Sequence, residues 1–123
     1  HPFLQRQQLS YTIIVVEQSN DSSFNRGMLL NIGFTEALLQ DKYPCFIFHD
    51  IDYLPEDDRH SYSCPEDGKP RQMAFAIDYW DNYRPVPRYI FGGVSAISTH
   101  DFQQINGYSN LFLGWGGEDD QFY

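Results

Sequence analysis

Cys45-Phe46-Ile47-Phe48-His49-Asp50-Ile51-Asp52 is the stretch that decides how this chain folds. Pro44 stands just before it and blocks any preceding helix from continuing. Cys45 to Phe48 then form a short apolar run of the kind a buried strand shows. Two carboxylates flanking one aliphatic residue follow where that strand ends. Toward the N-terminus, Phe24, Met28, Ile32, Leu38 and Leu39 fall within one arc of a helical wheel, which predicts an amphipathic helix with that arc against the core. Ser19-Asn20-Asp21-Ser22-Ser23 is a loop rich in helix-capping residues. Before it, Tyr11-Thr12-Ile13-Ile14-Val15-Val16 is β-branched and predicts a buried strand. Strand, helix and strand in this order predict a βαβ unit with a parallel sheet.

Toward the C-terminus, residues 53–71 carry Pro, Asp, Ser and Gly and read as irregular. Gln72-Met73-Ala74-Phe75-Ala76-Ile77 predicts a third strand, and residues 78–87 an aromatic, proline-rich loop. Val94-Ser95-Ala96-Ile97 is a fourth apolar run, after which Ser98-Thr99 can cap a short helix through Ile105. No repeat or interdomain linker interrupts the 123 residues, a length suited to one domain.

Composition narrows the function. Apolar residues make up 41% of the chain and aromatics 17%, enough to build a core and to exclude a disordered tail. With 8 Lys+Arg against 17 Asp+Glu, the net charge of −9 supplies no basic stripe for a nucleic-acid backbone. No run of about 18 apolar residues exists to span a membrane, and His1 to Arg6 contain no signal-peptide core. Cys45 and Cys64 lack metal-ligand spacing. Two free thiols or a bridge both fit, depending on the redox compartment.

Three motifs carry chemistry. Asp50-Ile51-Asp52 can hold a hard divalent cation at a strand's carboxyl end, where α/β sheets gather their ligands. In so acidic a chain the triplet also arises by chance, and its position is what gives it weight. Phe91-Gly92-Gly93-Val94-Ser95 offers paired glycines, for a ligand's close approach or simply for a tight turn before a strand. Gly114-Trp115-Gly116-Gly117-Glu118-Asp119-Asp120 places an indole between glycines, able to stack on a sugar, ahead of three acids that can accept hydroxyl hydrogen bonds and supply a general base. A structural Trp beside a solvated acid run is the plainer alternative.

These motifs, with Phe24-Asn25-Arg26 ahead of them and His1-Pro2 to Gln7-Gln8-Leu9 at the start, occur in the order found in the β-1,4-galactosyltransferase family, which the chain resembles over nearly its whole length. The resemblance implies an α/β, GT-A-type (Rossmann-like) nucleotide-sugar transferase fold with a mostly parallel central sheet, incomplete in this chain. Residues 1–123 would be a single partial catalytic domain, with a UDP-sugar and metal half over 1–90 and an acceptor-binding, flexible-loop part over 91–123. It further implies Mn²⁺, held by Asp52 directly and by Asp50 in the same motif. Donor contacts would come from Phe24, Arg26, Asp50, Ile90, Gly93 and Glu118, and acceptor contacts from Trp115, Gly93, Asp119 and Asp120. Asp119 would be the base in an inverting transfer to the 4-hydroxyl of a terminal GlcNAc or glucose on a glycoprotein or glycolipid glycan. Cys45 and Cys64 match a family disulfide, and the setting would be the Golgi lumen, with the whole protein a single-pass type II membrane protein.

Departures from the family pattern are informative. Ile90 precedes Phe91-Gly92-Gly93 where galactose-transferring members commonly carry Tyr. The smaller residue leaves room for an acetamido group at the donor's C2, which favours UDP-GalNAc over UDP-Gal. The Cys64 to Pro70 loop is longer than the family pattern, and none of His1, His49, His60 and His100 matches the family's histidine metal ligand. Two other classes remain: a carbohydrate- or nucleotide-sugar-binding module of the same fold without catalysis, and an acidic Ca²⁺-binding structural domain, although the acids lack EF-hand order.

Overall fold

Phe46 and Phe48 point to one side of their strand and Ile47 to the other, and this alternation organises the protein. The computed structural model describes residues 2–19, 22–79, 82–87, 90–114 and 116–119. Helix α1 spans Pro2–Arg6, α2 Arg26–Gln40, strand β1 Cys45–His49, β2 Arg71–Gln72, β3 Val94–Ser98, and α3 Thr99–Gln104. The sheet order is β1-β3-β2, and β3 is buried along its whole length. On one face, Phe48 and Ile97 pack with Phe34 of α2, Phe102 of α3 and Tyr108. Ring centroids there lie 4.5 Å apart for Phe34–Phe102 and 4.8 Å for Phe48–Phe102, aromatic contacts that add to area burial. On the other face, Val94 and Ala96 pack with Met73 and Ala74, edged by Ile47, Tyr53 and Tyr62.

Local chemistry explains the helix ends. Asn25 caps α2 by accepting the Met28 N–H at 2.9 Å. Ser98 caps α3 by accepting from Asp101 N at 3.1 Å. At the far end of α3, Asn106 adopts φ 61° and donates to Gln103 O, while Gly107 donates to Phe102 O. This pair of bonds is the Schellman arrangement, and it turns the chain so that Tyr108 enters the core.

Four expectations are corrected. Both strand pairings, β1 with β3 and β2 with β3, are antiparallel, so the described residues contain no parallel βαβ unit. The reason is that Tyr11–Val16 forms no strand: among the described residues no ladder reaches its backbone, and Ile13 and Val15 are 63% and 78% exposed. A β-branched run becomes a strand only when an edge accepts its N–H and C=O groups. Here the run touches its surroundings through Thr12, which accepts from Tyr43 Oη at 3.1 Å, and through Val16 against Gly33.

Helix α2 buries a different arc from the one predicted. Gly27, Leu29, Phe34 and Ala37 are buried with Leu30 and Leu38 beside them, while Phe24, Met28, Ile32 and Leu39 face outward. The helix is apolar on nearly all sides, so periodicity alone does not choose. Phe34 supplies the ring that meets Phe46 and Phe102, and Gly27 lets the helix approach the Ser109 carbonyl, where a Cβ would collide. The third strand is also shorter than predicted, β2 covering Arg71–Gln72 with Met73 and Ala74 both donating to Val94 O. Ala76 contributes only an isolated bridge to Pro85.

Candidate functional site

The carboxyl end of β1 is held by backbone bonds on both sides. Asp50 N–H donates to Gly93 O at 2.8 Å, and Asp50 O accepts from Tyr53 N at 3.3 Å, closing a turn over Asp50-Ile51-Asp52-Tyr53. Ile51, 94% exposed at the tip, contributes nothing to the core. The Phe91-Gly92-Gly93 segment is therefore docked on the carboxylate turn. Gly93 has φ +72°, a conformation that favours glycine, and a Cβ there would press on the Tyr53 ring and on Ala74. Gln72 Nε2 donates to Gly92 O at 2.9 Å and fixes the other peptide.

Arg26 sits at the centre. From the first turn of α2, its Nε and Nη2 donate to Asp50 Oδ1 at 2.9 and 2.8 Å, and its Nη1 reaches Glu118 Oε1 at 3.2 Å. Burial works against the Arg26 charge. The charge and hydrogen bond of Asp50, with Tyr108 and Glu118 behind them, outweigh that and hold the guanidinium above its ordinary pKa. The acid motif of β1 and the acids after the glycine-rich loop thus meet on one cation. Beside them, a Cβ on Gly92 would overlap Asp119 Oδ2, so the Asp119 carboxylate lies directly on the paired-glycine turn.

Segment 108–114 locks α2 to this assembly. Asn31 donates to Tyr108 O at 2.8 Å and accepts from Tyr108 N at 2.9 Å, Asn25 Nδ2 donates to Asn110 O, and Gly114 N donates to Phe24 O at 2.7 Å. The Tyr108 ring lies 6.0 Å from the Arg26 guanidinium carbon, and its hydroxyl pairs with Ser95 Oγ at 3.3 Å. Burial pushes this phenol up to about 12.

Most of the residues singled out from the sequence have a place. Asp50, Arg26, Glu118, Asp119 and Gly93 are brought together. Phe24 is half exposed at the head of α2, with its carbonyl taken by Gly114. Ile90 is partly buried one residue before Phe91, its N–H on Pro87 O at 3.0 Å. Cys45 and Cys64 are bonded, tying the start of β1 to the following loop. Trp115 and Asp120 lie outside the described residues. His49 is not available as a ligand, because Nδ1–H donates to Asp50 O at 2.7 Å and Nε2 pairs with Tyr62 Oη at 2.9 Å. Sequence reading missed Tyr108, Asn31 and Tyr53. The Asn25 and Asn31 amides were the only available signal for the 108–110 contact, and nothing marked Tyr108.

Among the described residues no three His, Cys, Asp or Glu side chains converge on one point. The donor chemistry at the turn nonetheless suits a hard divalent ion. Asp52 is exposed and makes no hydrogen bond or ion pair with the other described residues, and Arg26 bonds Oδ1 of Asp50.

Comparison with solved structures places the fold. The crystal structure of a mutant of Drosophila β-1,4-galactosyltransferase 7, in complex with manganese, UDP-Gal and xylobiose, superposes with a TM-score of 0.85 at 34% identity, covering 98% of this chain and 49% of that one. The described elements therefore form part of an α/β glycosyltransferase catalytic domain. Residues 1–65 match the N-terminal region of glycosyl transferase group 7, and residues 71–123 match the N-terminal domain of galactosyltransferase. The chain belongs to this group 7 family, that of the β-1,4-galactosyltransferases. Mouse β-1,4-galactosyltransferase 1 is 50% identical over all 123 residues, and human β-1,4-galactosyltransferase 3 is 48% identical over 120. The chain spans 30% of the length of these curated relatives.

Proposed function

We propose that the protein carrying this chain transfers GalNAc or galactose from a UDP-sugar to the 4-hydroxyl of a terminal GlcNAc or glucose, with inversion and with Mn²⁺. The observation that supports this most is the meeting of Asp50 and Glu118 on Arg26, with Asp119 on the Gly92 turn. In this reading the carboxylate turn beside Arg26 is the side suited to a metal, and Asp119 on the glycine turn is the base. Relatives that are β-1,4-galactosyltransferases, and a neighbour holding manganese and UDP-Gal, agree with the reading. The disulfide fits an oxidising compartment such as the Golgi lumen, where the whole protein would sit as a single-pass type II membrane protein.

Asp119 takes the proton from the acceptor hydroxyl as that oxygen attacks the anomeric carbon, a single displacement that needs one base and no nucleophilic side chain. Arg26 holds Glu118 and Asp50 in register on the donor's side. Gly92 and Gly93, without side chains, let the two sugars approach the backbone. Asp52, with Asp50 beside it, would hold Mn²⁺, which supplies Lewis-acid neutralisation of the departing diphosphate. Ile90, aliphatic beside the glycine turn, favours the acetamido-bearing donor.

The test offers UDP-GalNAc and UDP-Gal in competition to the full-length protein, and then to Ile90→Tyr. Preference for UDP-GalNAc that reverses in the variant supports the reading. Transfer of both sugars in a ratio unmoved by the substitution refutes the specificity, and binding without transfer refutes the catalysis.

A further inference from the structure

His49 is absent from every role above, yet both of its ring nitrogens are engaged at the turn that bears Asp50 and Asp52. A carbonyl can only accept, so the 2.7 Å contact to Asp50 O makes Nδ1 the protonated nitrogen. In the neutral ring Nε2 then accepts from the Tyr62 hydroxyl at 2.9 Å. Tyr62 is itself held on three sides. Its N–H donates to Gln7 Oε1 at 2.9 Å, its ring stands edge-on to Phe3 at 5.2 Å, and Cys64, two residues on, is bonded to Cys45. Gln7 closes the clamp by donating to His60 O at 2.8 Å. The chain of contacts runs from Phe3 of α1 and Gln7 just after it, through Tyr62 and His49, to the carbonyl of Asp50.

We infer that His49 and Tyr62 are positioning residues, which orient the Asp50–Tyr53 turn for the divalent ion without touching it. The inference rests on the metal role proposed for Asp52. Asp50 O accepts from both His49 and Tyr53, and these two bonds fix the Asp50–Ile51 peptide at the start of the turn that carries Asp52. Tyr62 matters because a hydroxyl donated to Nε2 keeps the proton on Nδ1, as partners behind a metal site commonly fix a histidine's tautomer. Asparagine at position 49 can supply a donor near the Nδ1 position, whereas leucine supplies none.

The experiment measures Mn²⁺ affinity in the full-length protein with UDP present, by calorimetry, alongside the Mn²⁺ dependence of turnover. His49→Leu should weaken Mn²⁺ binding by about tenfold or more, the range for partners behind metal ligands. Tyr62→Phe, which removes one hydroxyl and keeps the ring on Phe3, should weaken it severalfold. His49→Asn should stay within about threefold of the parent, and in all three kcat at saturating Mn²⁺ should change less than the Mn²⁺ requirement. Should His49→Leu not fold, Tyr62→Phe and His49→Asn decide the matter. Unchanged affinity in Tyr62→Phe, or an Asn variant as weak as the leucine variant, overturns the inference while leaving the proposed function standing. A parent protein that binds no Mn²⁺ overturns both.

Discussion

Replacing Arg26 by Met removes the cation shared by Asp50 and Glu118 while keeping an apolar stem of similar reach. At 3.2 Å, with an effective dielectric of about 20, the gross attraction between Arg26 and Glu118 is about 5 kcal/mol. Desolvation of both groups offsets much of this. The Glu118 side chain is only 6% exposed, so removing its partner strands a buried carboxylate, and such a loss costs about 3 kcal/mol. Asp50 is 33% exposed at its side chain and recovers water, which limits its share to under ~1 kcal/mol. Arg26→Met should therefore destabilise the protein by about 3 kcal/mol. Glu118→Gln in the same chain should restore about 2 kcal/mol of that, because an amide tolerates the loss of the cation. Urea unfolding at pH 7 of the parent, both single variants and the double variant gives the coupling directly. Additive effects of the two substitutions, or a single variant within about 0.5 kcal/mol of the parent, would refute the idea that Arg26 joins the two acid clusters.

Three further outcomes follow from the geometry. Gly92→Ala places a methyl group where Asp119 Oδ2 lies, so transfer should fall by about a hundredfold, within the range for a displaced general base, with Mn²⁺ binding preserved in calorimetry. Replacing Cys45 and Cys64 together by Ser opens a loop with a sequence separation of 19, and the unfolding free energy should drop by about 3 kcal/mol in denaturant titrations. Tyr108, held protonated to about 12 by burial, contributes stability that is complete below its ordinary value near 10 and is lost as pH rises through 12. Tyr108→Phe should leave stability at pH 7 within about 1 kcal/mol of the parent and flatten the fall between pH 10 and 12, followed by thermal unfolding against pH.

What the sequence determined by itself lies in signals that act within a few residues. Pro44 and the apolar run placed β1, Ser98 began α3, Val94 to Ile97 became β3, and the proline- and glycine-bearing residues 53–71 contain turns but no regular element before Arg71. The motif order was enough to place the chain in its family. Only the tertiary structure decided which face of α2 is buried, since that helix is apolar almost all round and the choice fell to Phe34 and Gly27 meeting distant partners. It also decided that, among the described residues, no ladder reaches Tyr11–Val16 and that β1 and β2 both pair antiparallel with β3. The site shows the same division. Its carboxylates could be picked out along the chain, but Arg26 joins residues 24 and 92 positions away, and His49 is fixed by a tyrosine 13 positions on. Charge pairing and hydrogen bonding at such separations depend on where packing brings the backbone, which local propensity does not encode.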